Sequence, residues 1–463
     1  MTPVIGKPVT VPVHARAGER FGIAFKVTRS DTRTPLMKGR MISEPSIAGE
    51  VIPHTEAFRG GTARSSFVVP TSAPGKLLKI KLTITAAGGA SATRVATFRV
   101  RAPQPVTARV TASPQLVFDW TTDRCALWDV PDLSARAFRD AAGHVQLIAS
   151  HFATRRFLGP DLEHLRHDCS AVFVSHRNPD PAAYDDAEWI AATFTSDGST
   201  IYALVHDEYQ GHRHPGQCPS GSYGRCWWNT ITSAVSTDGG RTYVHSTPPA
   251  LVATYPYRYV PDRGSFGALQ PSNIVHNRDG YYYALVDIKE QPQGAPNTNH
   301  LCLIRTKELA DPSSWRAWSG GTAFSTTFID PYRSTVNPAD HLCRAVSPSS
   351  LGGLPLGSLT FVTEANQWLL VGAIDDGFYY STSSDLINWT RRRLLLAAPL
   401  PWTYRCGGPD PIHYPSVLDP ASASRNFETT GKTAYLYYTQ FHTQNCQQGP
   451  DRDLVRVPIS IDR

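Results

Sequence analysis

The sequence predicts an all-β protein, a five-bladed β-propeller preceded by an immunoglobulin-like β-sandwich. Three observations carry that expectation. Composition changes sharply near residue 105, the part before it reads as short alternating strands between Pro/Gly turns, and the part after it repeats one strand–turn–strand unit five times. At 463 residues the chain exceeds one ordinary hydrophobic core, so two domains are expected, residues 1–105 and 106–463.

All ten Trp, all nineteen Tyr and all eight Cys lie beyond residue 105. Residues 1–105 hold 16 Lys and Arg against 5 Asp and Glu, a net charge of +11, which leaves −5 for the remainder. Basic charge suits an anionic polymer or surface as partner; a soluble basic accessory domain is the plainer alternative. Without Trp or Tyr this part offers little platform for base stacking, so no nucleic-acid partner is expected. No stretch approaches the ~18 apolar residues that span a bilayer, so no transmembrane segment is expected, and the chain reads as a monomer. The start, Met1-Thr2-Pro3-Val4, shows no signal peptide and reads as a mature chain already trimmed.

The cysteines are Cys125, Cys169, Cys218, Cys226, Cys302, Cys343, Cys406 and Cys446. Their number is even, none forms a C-x-x-C pair and zinc-type spacing is missing. Such a set suits an oxidising compartment, hence a secreted or cell-surface protein. Spacing leaves connectivity open. Pairing of chain neighbours predicts Cys125–Cys169, Cys218–Cys226, Cys302–Cys343 and Cys406–Cys446, with free buried thiols as the alternative.

In the first part, alternation places strands at 9–13, 22–27, 65–69, 77–86 and 93–100, with turns at Ala73-Pro74-Gly75 and Gly88-Gly89. Arg101-Ala102-Pro103-Gln104-Pro105 then reads as a short stiff linker. In the second part the hairpins fall at 137–150 around Ala142-Gly143, 189–205 around Asp197-Gly198, 272–286 around Asp279-Gly280, 359–372, and 414–438 with a longer insertion. Units of this kind bury both faces only by packing on their neighbours. Outer-strand signals lie between them at 236–243, 307–315 and 381–389, each a polar turn leading to an aromatic. Pairing of 454–461 with 115–120 would leave no free sheet edge.

The stretch Ser236-Thr237-Asp238-Gly239-Gly240-Arg241-Thr242-Tyr243 resembles the Asp-box turn of sialidases, a structural rather than catalytic element. Ser384-Asp385-Leu386-Ile387-Asn388-Trp389, and Gln270-Pro271-Ser272-Asn273 followed by Asp279-Gly280-Tyr281-Tyr282, resemble elements of the five-bladed glycosidases of the arabinanase, xylosidase and invertase superfamily. The resemblance covers roughly residues 125–460 as architecture. It implies a carbohydrate ligand, a furanoside or pentose-containing polymer above all, with inversion as the expected outcome. The chain also departs from that group. Gln270 stands where an Asp is usual, and Ala345-Val346-Ser347-Pro348 occupies the place of an acid.

Propeller geometry gathers the residues just before and just after each hairpin at one mouth. Glycoside hydrolysis needs two carboxyl groups there, one to protonate the leaving oxygen and one to activate water or attack. Asp132, leading into the first inner strand, is the expected base, and the resemblance implies the same; capping a turn beside Pro131 is its alternative role. Glu208 in His206-Asp207-Glu208-Tyr209 is the expected acid, because alternation aims His206 and Glu208 to one side and Asp207 to the other. Asp287 is a third candidate, as acid or as a group that tunes another carboxylate. Asp129, Arg136, His151, His206, Tyr209, Trp228, Gln270, Asn273, Asp410, His413 and Tyr414 are the expected substrate-binding residues. The resemblance gives His413 an alternative role, support of an axial calcium; no other metal or cofactor is expected. Between Tyr209 and Trp228, Cys218–Cys226 would tie a rigid aromatic wall, and His212 and His214 offer metal ligands as the competing reading.

Gly431-Lys432-Thr433 lacks the Gly a P-loop needs, and neither H-E-x-x-H nor G-x-S-x-G occurs. The reading is therefore an extracellular glycoside hydrolase. A non-catalytic carbohydrate-binding propeller is the alternative, and a polysaccharide lyase relying on Arg136 and the histidines is the third.

Overall fold

The computed structural model describes all residues except 1, 71, 72, 103, 150, 291–297, 353 and 355. Met1, Pro103 and Ser150, named above, lie outside the described residues. The chain is all-β and divides into two compact units, the first built from Met1–Val106 with Ala365–Gln367 and Arg463, the second from Thr107–Glu364 and Trp368–Asp462.

The first unit has two four-stranded antiparallel sheets that share one core. Pro3–Val11, Arg20–Arg29, Thr62–Val68 and His54–Arg59 form one; Glu50–Val51, Gly39–Ile47, Leu77–Ala86 and Ser91–Arg99 form the other. Period-two patterning explains the packing. Phe21, Ile23, Phe25 and Val27 point inward from one sheet and Leu78, Ile80, Leu82 and Ile84 from the other, while the residues between them face out. Each such side chain contributes about 1.5–3 kcal/mol by burial. The sequence pattern accounts for five of these eight strands. His54–Arg59 escapes it because the strand is at an edge and carries no buried apolar residue. Gly39–Ile47 is interrupted by Glu44 and Pro45.

In the second unit the five anticipated hairpins are all present, but they make four hydrogen-bonded sheets rather than five separate ones. The first sheet runs from Arg136–Arg139 outward to Arg166–Val174. The next combines an antiparallel group beginning at Ala187–Phe194 with another beginning at Phe266–Pro271. These two fuse through a short parallel register, Trp228 with Phe266 and Asn229 with Gly267. Gly267 allows the fusion. Its φ is +113°, and a Cβ there would lie 2.2 Å from the Asn229 carbonyl oxygen. The remaining sheets are built on Leu356–Val362 and on Ile412–Leu418.

Successive groups pack through shared apolar clusters. Phe138 and Ile148 meet Ile190 and Val205, Ala192 and Leu204 meet Ala268 and Ala284, and Leu285 and Leu303 meet Leu359 and Leu370. Phe378 lies against Tyr438, and Leu418 and Leu454 meet Ala135 and Leu147. Tyr243, Trp315 and Trp389, the aromatics that end the outer-strand signals, are buried in three of these clusters. Their turns are carboxylate-centred. Asp238 accepts from the Arg241 and Thr242 amides, and Asp385 from those of Ile387 and Asn388. The C-terminal strand Gln447–Asp462 pairs antiparallel with Gln115–Phe118, bringing both ends of the unit into one sheet.

All eight cysteines are paired, Cys125–Cys169, Cys218–Cys226, Cys302–Cys343 and Cys406–Cys446, each with its chain neighbour. Among the described residues no helix is long and apolar enough to cross a membrane.

Candidate functional site

A cavity of about 420 Å³ in the second unit is lined by Asp132, His206, Glu208, Gln270, Asp287, His413 and Tyr414, with Trp189, Trp227, Trp402 and Lys289 completing its walls. The strands that deliver these side chains come from different hairpins. Asp132 precedes Arg136–Arg139, His206 and Glu208 sit on Ile201–Gln210, Asp287 and Lys289 on Tyr282–Glu290, and His413 on Ile412–Leu418. Register decides which residues of a strand face inward. Trp189 pairs with His206 and Ala187 with Glu208, whereas Glu188 pairs with Asp207 on the reverse face.

Three carboxyl groups reach the cavity in three environments. Asp132 is ion-paired with Arg452 and accepts a hydrogen bond from the Tyr414 hydroxyl at 3.2 Å; its other oxygen lies 3.6 Å from His151 Nε2. Glu208 accepts from Gln210 Nε2 at 2.9 Å and from the Tyr223 hydroxyl at 3.2 Å, and its Oε1 lies 3.2 Å from His206 Nε2. Asp287 has one buried oxygen without a hydrogen-bond partner. Burial pushes its pKa up to about 7, with Lys289 pulling the other way. Burial, with the Glu208 and Asp132 carboxylates adding to it, raises the Tyr223 phenol far above its usual range, so Tyr223 stays a donor. Tyr414 is raised likewise, by burial and then by Asp132. His413 and His151 are held neutral, pulled down by burial to about 3 and about 4.

Several sequence-predicted residues are placed elsewhere. Arg136 is buried, and its donors go to the Ala191, Pro271 and Gly357 carbonyls, with Ser416 Oγ at 3.4 Å. It ties together strands from every hairpin group, and with its guanidinium spent on backbone it has none to offer a substrate; the lyase reading loses its main cation. Burial lowers its pKa to about 9. Trp228 is wholly buried against Tyr184 and Tyr332, and Trp227 takes the place in the cavity wall expected of it. Tyr209 points away, donating to the Pro179 carbonyl and stacking on His214. Asp129 is held by the Cys125 amide, Arg155 and His167. Asn273 bridges to both backbone groups of Leu359. Asp410 pairs with His442. His151 reaches the site only through Asp132, its ring packed between Trp128 and Trp189.

Arg452, Tyr223, Trp402 and Lys289 are functional candidates that the sequence reading does not name, whereas Trp227 stands at the end of the disulfide-tied aromatic wall expected there. Of the four, Tyr223 has a signal, its place inside the loop closed by Cys218–Cys226. The residues present do not fit a calcium ion at His413. Its ring packs on Trp402 and Tyr414, and Asp132, the carboxylate that acts on it, is already paired with Arg452. Among the described residues, three of the five His/Cys/acid clusters contain disulfide-bonded cysteines; the other two are His176–Glu188–His245 and His442–Asp451–Asp453.

No protein-family model matches the chain, and no curated protein matches it.

Proposed function

We propose that the chain is an extracellular glycoside hydrolase, its second unit a five-bladed propeller of the arabinanase, xylosidase and invertase type and its first an immunoglobulin-like accessory domain. One observation carries the reading: Asp132, Glu208 and Asp287, from three different hairpins, line a single cavity walled by tryptophans. Sugar rings stack on such walls. The five hairpin groups, each packed on the next and held by Arg136, support the propeller assignment. Four disulfides support an oxidising compartment.

In this account Asp132, receiving hydrogen bonds from Arg452 and Tyr414, activates the water. Glu208 protonates the leaving oxygen, with Tyr223 and His206 holding its carboxyl in place. These two are taken as the pair because each is held in the cavity by protein donors, Asp132 by Tyr414 and Arg452 and Glu208 by Tyr223 and Gln210, whereas one Asp287 oxygen has no partner. Asp287 holds its proton below about pH 7 and in that form donates a hydrogen bond to a substrate hydroxyl. The non-catalytic reading is favoured by a different observation, that both Glu208 oxygens already face protein groups.

A screen of purified protein against plant and bacterial cell-wall polysaccharides, reading reducing sugar released, separates the two readings. Release by the wild type and none by an Asp132→Asn, Glu208→Gln double variant supports the hydrolase. Binding without release from any polymer supports the carbohydrate-binding alternative.

A further inference from the structure

Behind the hairpin that carries Glu208 lies a second constellation, on the opposite face of the same strands. Glu188, directly across from Asp207, is fully buried. His176 Nδ1 lies 3.2 Å from its Oε2 and His245 Nε2 lies 3.2 Å from its Oε1. The three residues come from three segments. His176 follows strand Arg166–Val174, Glu188 is the second residue of Ala187–Phe194, and His245 follows the Asp-box turn. Glu188 Oε1 and His245 Nε2 are buried and face one another without the alignment of a hydrogen bond. The His176 side chain is 56% exposed, which opens the group to solvent on one side.

The surroundings are acidic, and their protein counter-charges are His214, 2.8 Å from Asp186, and Arg177, which acts on Asp186 and Glu188. Asp185, Asp186 and Asp207 are buried close by, and oxygens of Asp185 and Asp186 have no hydrogen-bond partner. Burying so many carboxylates is costly unless cations accompany them.

We propose that His176, Glu188 and His245 form a binding site for a divalent transition-metal ion of the zinc class. Two imidazoles and a carboxylate are the donor set of three-ligand zinc sites, and they disfavour calcium and magnesium, which take oxygen. Ligand atoms ~2.0–2.2 Å from a tetrahedral ion stand about 3.3–3.6 Å apart; here one donor atom from each of the three residues lies within 4.8 Å of the others, and each imidazole is 3.2 Å from its own oxygen of Glu188, so a small inward turn of the rings brings all three onto one ion. The exposed side of His176 leaves the fourth position to water and gives the ion its entry path. An ion there ties the end of the Asp-box turn to the hairpin that presents Glu208. The site is independent of the glycosidase reading and stands if that reading falls.

The test uses the full chain, stripped with chelator, dialysed against zinc and then assayed for metal per chain; cobalt(II) serves as the optical probe. Wild type is expected to retain zinc, to show a tetrahedral cobalt absorption, and to melt higher as zinc is added. His176→Ala, an exposed position, is expected to melt like the metal-free wild type and to bind zinc at least ~100-fold more weakly. Glu188→Gln should do the same, and His442→Ala, at the other cluster, should bind as wild type does. Failure of the wild type to retain zinc, or retention that survives both His176→Ala and Glu188→Gln, overturns the proposal.

Discussion

Arg452 pairs with Asp132 across 320 positions of sequence, so the last strand of the chain supplies the cation for the segment that leads into the first hairpin. Both side chains are mostly buried. Removing Arg452 leaves the carboxylate short of a donor, at a cost of about 1–3 kcal/mol. Arg452→Met is therefore expected to lower kcat at least 10-fold on a cleaved polymer, with Arg452→Lys recovering part of the loss. Steady-state kinetics of the two variants check this, and equal losses in both would put the charge out of account.

Asp287 makes stability depend on pH in a definite direction. Its folded pKa of about 7 lies above the unfolded value, so between about pH 4 and 7 the native state binds the extra proton. Stability from this group is complete below about pH 4 and is lost as pH rises through 7. The full difference is on the order of 4 kcal/mol. Asp287→Asn, which cannot ionise, is expected to melt above wild type at pH 8 and to lose most of that advantage at pH 5. Thermal melts at the two pH values decide it; an advantage of the same size at both would contradict the assignment.

Trp227 and Trp228 are adjacent and opposite. Trp228→Ala should cost about 3–5 kcal/mol, because it opens a cavity in a packed core. Trp227→Ala should leave the melting temperature within a few degrees of wild type and weaken binding of the sugar chain. Calorimetric melts and oligosaccharide titration, run on both variants, separate the two roles.

Arg136→Met strips donors from the Ala191, Pro271 and Gly357 carbonyls at once. Each buried acceptor left alone costs about 1–3 kcal/mol, so the variant should unfold at markedly lower urea, or fail to accumulate folded. An unchanged urea midpoint would show that these hydrogen bonds contribute nothing net.

How much was legible in the chain follows from the range of each signal. Turn chemistry is local, and Asp197-Gly198 and Asp279-Gly280 therefore mark their hairpins. Strand parity is local too, which is why His206 and Glu208 separate cleanly from Asp207. Tyr209 shares the parity of Asp207, so the same alternation excludes it from the cavity. Trp227 and Trp228 follow a loop that resets the parity, and only the observed register, Tyr209 with Trp228, tells them apart. Arg136 sits at the predicted mouth in sequence, yet its guanidinium is taken up by the Ala191, Pro271 and Gly357 carbonyls and the Ser416 hydroxyl of four distant strands. Arg452 reaches the site through tertiary packing, and nothing beside it in sequence announces it, whereas Tyr223 lies in the loop that Cys218–Cys226 marks. The fusion of the two middle groups depends on the single close approach of Gly267 to Asn229.

The most direct test of the central claim is a leaving-group comparison on whichever glycoside the wild type cleaves. A natural sugar leaving group needs a proton from Glu208, whereas an activated aryl leaving group does not. Glu208→Gln should lose about 10²–10⁴-fold on the natural substrate and far less on the aryl glycoside, while Asp132→Asn should lose on both. Equal losses of Glu208→Gln on the two substrates, or no loss in either variant, would contradict the assignment of Asp132 and Glu208 as the base and acid of this site.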